Sequence, residues 1–236
     1  MDMTGKHVFV IGGSRGIGAS CVAMLARRGA MVGFTYIANA DAAGAVEVRA
    51  ILAPPASQLR VSAPRSLPSH FVVVPSLLPS SQRAVADEGV GSAVGFKADV
   101  VSQVEMEAAM AASVSKFGRP LDGLVCSAGV FEPTPIAEWN TPYQGKEGTE
   151  AEFRRTMDTN VIGTVLAVKA ALQHWCAVGG SMVIVTSTAG QRGSDIYSAY
   201  ATSKGAQLMF SATAHLSLSR ASFCPHSVRA SIYCLI

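Results

Sequence analysis

The chain has 236 residues, 49% hydrophobic and 15% charged, which is material for one sizeable core and the length of a single domain. A net charge of +3 with no block of like charges excludes nucleic-acid binding by bulk electrostatics. The stretch 161–180 comes closest to a membrane span, but Lys169 and His174 interrupt it, and the only apolar run near the amino end, Val8 to Ile11, is too short for a signal peptide.

Cys21, Cys126, Cys176, Cys224 and Cys234 are scattered, with no Cys-x-x-Cys pair and no zinc spacing with histidine. They are expected to be reduced thiols in a cytoplasmic protein without a bound metal.

In chain order, His7–Ile11 reads as a buried strand and runs straight into Gly12-Gly-Ser-Arg-Gly16-Ile-Gly18, with Ala19–Arg28 as a helix ended by Gly29. Strand, glycine turn and helix are the context of a phosphate-binding loop. Glycines let the backbone approach a pyrophosphate, and the helix start offers free N–H groups. Ala30–Tyr36 reads as the second strand. An enzyme preferring NAD usually has an acid near this strand's end. Here the nearest is Asp41, while Arg15 could meet a 2′-phosphate, so the sequence favours NADP over NAD.

Asp41–Leu52 has a helical pattern. From residue 53 to about 86 the chain turns proline- and serine-rich, and resists both helix and central strand. This segment is expected to be an irregular insertion in the single domain, either a partner-binding loop or the product of a retained intron. Ser92–Lys97 reads as a third strand followed by Asp99-Val100, Val104–Phe117 as a helix, and Leu121–Cys126 as a fourth strand leading into Ala128-Gly129. Pro133–Thr149 reads as a loop and Glu150–Ala177 as one long helix carrying Asn160. Val183–Val185 is a strand with Ser187 just past it, Gly190 and Gly193 break a loop, and a helix starts near Tyr197. Val228–Tyr233 is a last strand. Strands alternating with helices predict an α/β fold, a doubly wound parallel sheet.

Tyr200 and Lys204 are four apart and share one helix face. A tyrosine, with a reference pKa near 10, is a poor base at neutral pH, and a nearby ammonium favours its phenolate. A serine hydroxyl at the end of the preceding strand could hold a carbonyl oxygen while the phenol moves the proton.

Together these residues resemble the short-chain dehydrogenase/reductase family, closest to 3-oxoacyl-carrier-protein reductase-like members. Gly12 to Gly18 matches the family's glycine motif, with Ile11 replacing the usual threonine. Asp99-Val100 matches its adenine-contacting pair. Cys126-Ser127-Ala128-Gly129 keeps the last two residues of Asn-Asn-Ala-Gly, and Asn160, Ser187, Tyr200 and Lys204 match its four catalytic positions.

The resemblance implies hydride transfer between NADP(H), with NAD(H) as the alternative, and a small carbonyl or alcohol substrate. Tyr200 would move the proton, Lys204 would favour the phenolate and hold the nicotinamide ribose, Ser187 would orient the carbonyl, and Asn160 would hold a water in a relay to Lys204. Cofactor contacts are expected at Gly12, Ser14, Arg15, Gly16, Ile17, Gly18, Tyr36, Asp99, Val100, Ala128 and Gly129, besides Tyr200 and Lys204.

The resemblance also implies a homodimer or homotetramer packed through the Glu150 and Tyr197 helices. After Tyr233 the family's substrate-covering segment and seventh strand are not matched, so the sheet is expected to lack its last edge strand. Alternatives are a non-catalytic dinucleotide-binding protein or an inactive truncated product.

Overall fold

Val8 and Val10 alternate with Phe9 and Ile11, so a strand over these residues sends two side chains to each face. In the computed structural model this strand, β1 (His7–Ile11), is buried throughout and lies inside a parallel sheet. The structure describes residues 2–38, 43, 91–137, 142–143, 146–177, 179–220 and 228–235. The expected helix Asp41–Leu52, except Ala43, and the whole insertion at 53–86 lie outside the described residues.

The other strands are β2 (Met31–Tyr36), β3 (Ser92–Lys97), β4 (Gly123–Cys126), β5 (Gly180–Ser187) and β6 (Val228–Leu235). Their order across the sheet is β3-β2-β1-β4-β5-β6, all parallel. The order reverses between β1 and β4, and in such sheets that reversal opens a ligand crevice at the strands' carboxyl ends. The doubly wound expectation holds, and among the described residues β6 is an edge.

The alternation along β1 divides the core. Val8 and Val10 pack with Val22 and Ala26 of α1 (Gly16–Arg27) and with Val32 and Phe34 of β2. Phe9 and Ile11 pack on the opposite face with Met106 and Met110 of α2 (Gln103–Phe117), Ala167 and Ala171 of α4 (Gly163–Leu172), and Ala214 of α6 (Ser198–Arg220). Each large buried side chain contributes roughly 1.5–3 kcal/mol.

Several boundaries differ from expectation. Helix α1 starts at Gly16 rather than Ala19, because only Gly12 to Arg15 are needed for the turn and Arg15 is already the extended N-cap. The expected single helix Glu150–Ala177 is three pieces. α3 (Glu150–Met157) begins with a capping box between Thr149 and Glu152. One wider turn follows at Asp158–Ile162, where the Gly163 N–H donates to the Asp158 carbonyl five residues back, and α4 then stops at Leu172. It stops because backbone beyond it pairs with Leu121: Leu121 N–H donates to His174 O and Cys176 N–H to Leu121 O, both at 2.8 Å.

Ser187 is the last residue of β5 rather than just past it, and the expected loop after it holds one four-residue helical turn, α5 (Ala189–Arg192). In the expected loop 133–149, Pro142–Tyr143 and Lys146–Glu147 pair as a two-residue antiparallel ladder. No described helix is long and apolar enough to cross a membrane.

Candidate active site

The turn after β1 can only be built from glycine at several places. Gly12 has φ +76°, and a Cβ there would lie 2.8 Å from Ala128 Cα. A Cβ on Gly13 would lie 2.5 Å from Phe34, and one on Gly18 only 2.2 Å from the Gly12 carbonyl oxygen. Gly16, at φ +55°, faces open space with nothing within 4 Å.

Thr35 on β2 holds this turn from beneath: its hydroxyl accepts from Gly12 N–H and its carbonyl from Gly13 N–H, both at 2.9 Å. Sequence reasoning missed this residue, although a buried threonine at a strand's end beside a glycine turn is a readable signal. The first turn of α1 has N–H groups without intrahelical acceptors, and Ile17 beside them is half exposed. Such a cradle fits a pyrophosphate.

The remaining expected cofactor positions ring the same end of the sheet. Ser14 is half-buried and Arg15 exposed in the turn, and Tyr36 ends β2. Asp99 and Val100 follow β3. The Asp99 carboxylate accepts from Val101 N–H at 3.1 Å, and buried Val100 packs where a Cβ on Gly163 would fall, 2.8 Å away. Ala128 and Gly129 follow β4, with Ala128 against Gly12.

A cleft of about 250 Å³ brings together Ile17 of α1, Ser127 and Gly129 after β4, Ser187 of β5, and Tyr200 and Lys204 of α6. Ser187 Oγ accepts from Ala189 N–H at 3.2 Å, which leaves its own hydrogen to donate into the cleft. The Tyr200 ring meets Phe131 edge-on at 4.7 Å, and Phe131 stacks on Tyr197 at 4.2 Å. Neither Phe131 nor Tyr197 was expected at the site. Phe131 follows the Ala-Gly turn and is 57% exposed, so these rings form an apolar wall at the cleft mouth.

Lys204 Nζ lies 5.5 Å from the centre of the Tyr200 ring and donates to Val185 O and Gln207 Oε1, both at 2.9 Å. Burial lowers its pKa to about 8. The Cys126 thiol is itself pushed up to about 12 by burial, so it stays neutral.

Asn160, fully buried, sits in the wide turn behind the cleft. Its side chain clamps Val130, accepting from the N–H at 2.8 Å and donating to the carbonyl at 3.0 Å, and donates to Ser203 Oγ at 2.9 Å. Its backbone carbonyl accepts from Thr164 Oγ1 at 2.7 Å and from Gln207 Nε2 at 2.6 Å. The link between Asn160 and Lys204 therefore runs through Gln207, a residue not singled out from the sequence. Its signal was the spacing Ser203, Gln207, Ser211, a polar row at helical period on the inward face of α6.

A parallel sheet with a glycine cradle, and a hydroxyl, phenol and amine sharing one cleft at its carboxyl end, defines a Rossmann-like α/β arrangement. The family model for short chain dehydrogenase matches residues 72–232, more than half of the chain, and the chain belongs to that family.

The chain is 32% identical over 185 residues to an uncharacterized oxidoreductase of Methylorubrum extorquens, covering 78% of this chain and 56% of that relative. It is 29% identical over 203 residues to L-fucose dehydrogenase of Rattus norvegicus, covering 86% and 57%. The chain thus spans little more than half the length of these curated relatives. Among solved structures, a dehydrogenase/reductase from Sinorhizobium meliloti superposes with a TM-score of 0.71 at 27% identity, covering 98% of this chain and 71% of that one. A short chain dehydrogenase from Burkholderia cenocepacia in complex with NADP gives 0.70 at 26%, covering 98% and 74%.

Proposed function

We propose that the protein is an oxidoreductase that prefers NADP(H) and interconverts a small carbonyl compound and its alcohol. The observation that carries this reading is the single cleft in which Ser187, Tyr200 and Lys204 meet residues of the glycine cradle and the Ala128-Gly129 turn. A bound nicotinamide dinucleotide supplies or accepts the hydride. Gly12 to Gly18 hold its phosphates, with Asp99, Val100, Ala128 and Gly129 along the same crevice. Exposed Arg15, with no acid at the end of β2, supports the preference for NADP over NAD.

In the reducing direction Ser187 donates a hydrogen bond to the substrate oxygen, and Tyr200 gives that oxygen its proton. The Lys204 ammonium stabilises the phenolate left behind. Asn160 keeps the Val130 segment, and with it one wall of the cleft, in place.

The test is NADPH oxidation against a panel of ketones and β-ketoacyl esters. Tyr200→Phe is expected to keep cofactor binding and lose about 10²- to 10⁴-fold in turnover. Undiminished turnover in that variant, or no turnover of any panel member by the parent chain, overturns the reading.

We infer further a homodimer or homotetramer packed through α6 and the stretch formed by α3, the wide turn and α4, supported by exposed Ile162 in that turn and by exposed Met209 and Leu216 on α6. A monomeric mass in solution contradicts it. The chain reads as one cytoplasmic domain with the 53–86 segment inserted.

A further inference from the structure

Lys204 and Gln207 are among the most buried polar side chains on α6, 5% and 1% exposed. An amide buried in a helix–helix contact costs stability unless all of its hydrogen-bonding groups find partners. The orientation of this one is dictated by its neighbours. The Asn160 carbonyl can only accept, so Nε2 must face it, at 2.6 Å. Thr164 spends its hydrogen on the same carbonyl, so its Oγ1 accepts from Nε2 at 2.8 Å. Oε1 is thereby turned toward Lys204 Nζ, 2.9 Å away. Of the three hydrogens of the ammonium, Val185 and Gln207 hold two, leaving the third for the cleft.

We propose that Gln207 is a positioning residue for the proton transfer at Tyr200: its amide ties the Lys204 ammonium to the Asn160 carbonyl in the wide turn between α3 and α4, fixing where that charge stands beneath the phenol. The role rests on the carbonyl-reductase reading above. The Asn160 carbonyl in the turn and a lysine on α6 are joined by a single side chain, so the charge stands at a place set by how α6 packs on that turn. An apolar side chain at 207 would fill the space but give the ammonium no acceptor, and the charged form would lose ground to the neutral amine.

Among the described residues, the ionisable groups facing Lys204 are Cys126 from the end of β4 and Tyr200 from its own helix. The Cys126 thiol is neutral over the working range, since burial pushes it to about 12. Gln207 is thus the neutral acceptor whose replacement changes the balance at Lys204 most directly.

The experiment follows the lysine itself. The side-chain ¹³Cε signal of Lys204, assigned by its loss in Lys204→Arg, is titrated by NMR in the full chain and in Gln207→Leu and Gln207→Glu. Thermal unfolding and NADPH binding are recorded on the same samples. Gln207→Leu is expected to titrate at lower pH than the parent and Gln207→Glu at higher pH, each by about one unit or more. The alkaline limb of kcat/KM is expected to move in the same directions.

Lys204 titrating at one pH in all three proteins, with only the unfolding temperature changed, overturns the proposal and leaves Gln207 a helix staple. Failure of both variants to fold overturns it in the same way. The titration is read without turnover, so it stands apart from the Tyr200→Phe test: a parent chain that reduces nothing sinks the reductase reading, while an unmoved lysine sinks this one.

Discussion

The backbone of Gly18 runs so close to the Gly12 carbonyl that a Cβ at position 18 would lie 2.2 Å from that oxygen. The obstacle is backbone, not a flexible side chain, so the turn itself has to open. Gly18→Ala is expected to destabilise the fold by about 1–3 kcal/mol and to weaken NADPH binding. Thermal unfolding and fluorescence titration of NADPH measure the two effects. An alanine variant that binds as tightly as the parent would mean that the cradle is not the cofactor's phosphate site.

His7 gives a pH dependence of stability. Its Nδ1 donates to the Arg119 carbonyl at 2.9 Å, which can only accept, and its Nε2 accepts from Ser113 Oγ at 2.8 Å. The neutral ring satisfies both contacts. Burial lowers its pKa below 6.5. As pH falls through 6.5, the unfolded chain takes up a proton that the folded chain still refuses, and stability declines. The unfolding temperature of the parent is expected to drop between pH 7.5 and 5.5 by more than that of His7→Gln; equal drops would count against the assignment.

Ser211 offers the opposite case. It is 1% exposed, and its hydroxyl finds no hydrogen-bond partner among the described residues. Burying an unpaired hydroxyl is unfavourable, so Ser211→Ala is expected to stabilise the protein by about 1 kcal/mol. Chemical denaturation reads this directly, and a loss of stability would reveal a partner for the hydroxyl.

How far the sequence showed this architecture depends on which forces are local. The alternation of Val8, Phe9, Val10 and Ile11 and the glycine turn that follows are local signals, and they led to β1 and the cradle. Asn160, Ser187, Tyr200 and Lys204 were readable as a set through family resemblance, and the structure brings the last three to one cleft with Asn160 directly behind.

The wide turn at Asp158–Ile162 carries no glycine or proline before Gly163 to announce it. The Asn160 carbonyl within it accepts from Gln207 on α6, forty-seven residues away. The end of α4 at Leu172 was missed for a similar reason. The residues after it could continue a helix, and the pairing of Leu121 with Trp175, a tertiary contact, decides otherwise. Thr35 supports the cradle through a partner on another strand, which periodicity alone does not reveal.

The buried amides and hydroxyls between α6 and the wide turn that leads into α4 act like the teeth of a key. Greasy helices can slide past one another by small steps at little expense, but a slip here would strand Asn160, Thr164, Ser203 and Gln207 without partners. The alignment of the phenol over the floor of the crevice is therefore guarded at a distance. Loosening that contact would blunt the chemistry before the chain came apart.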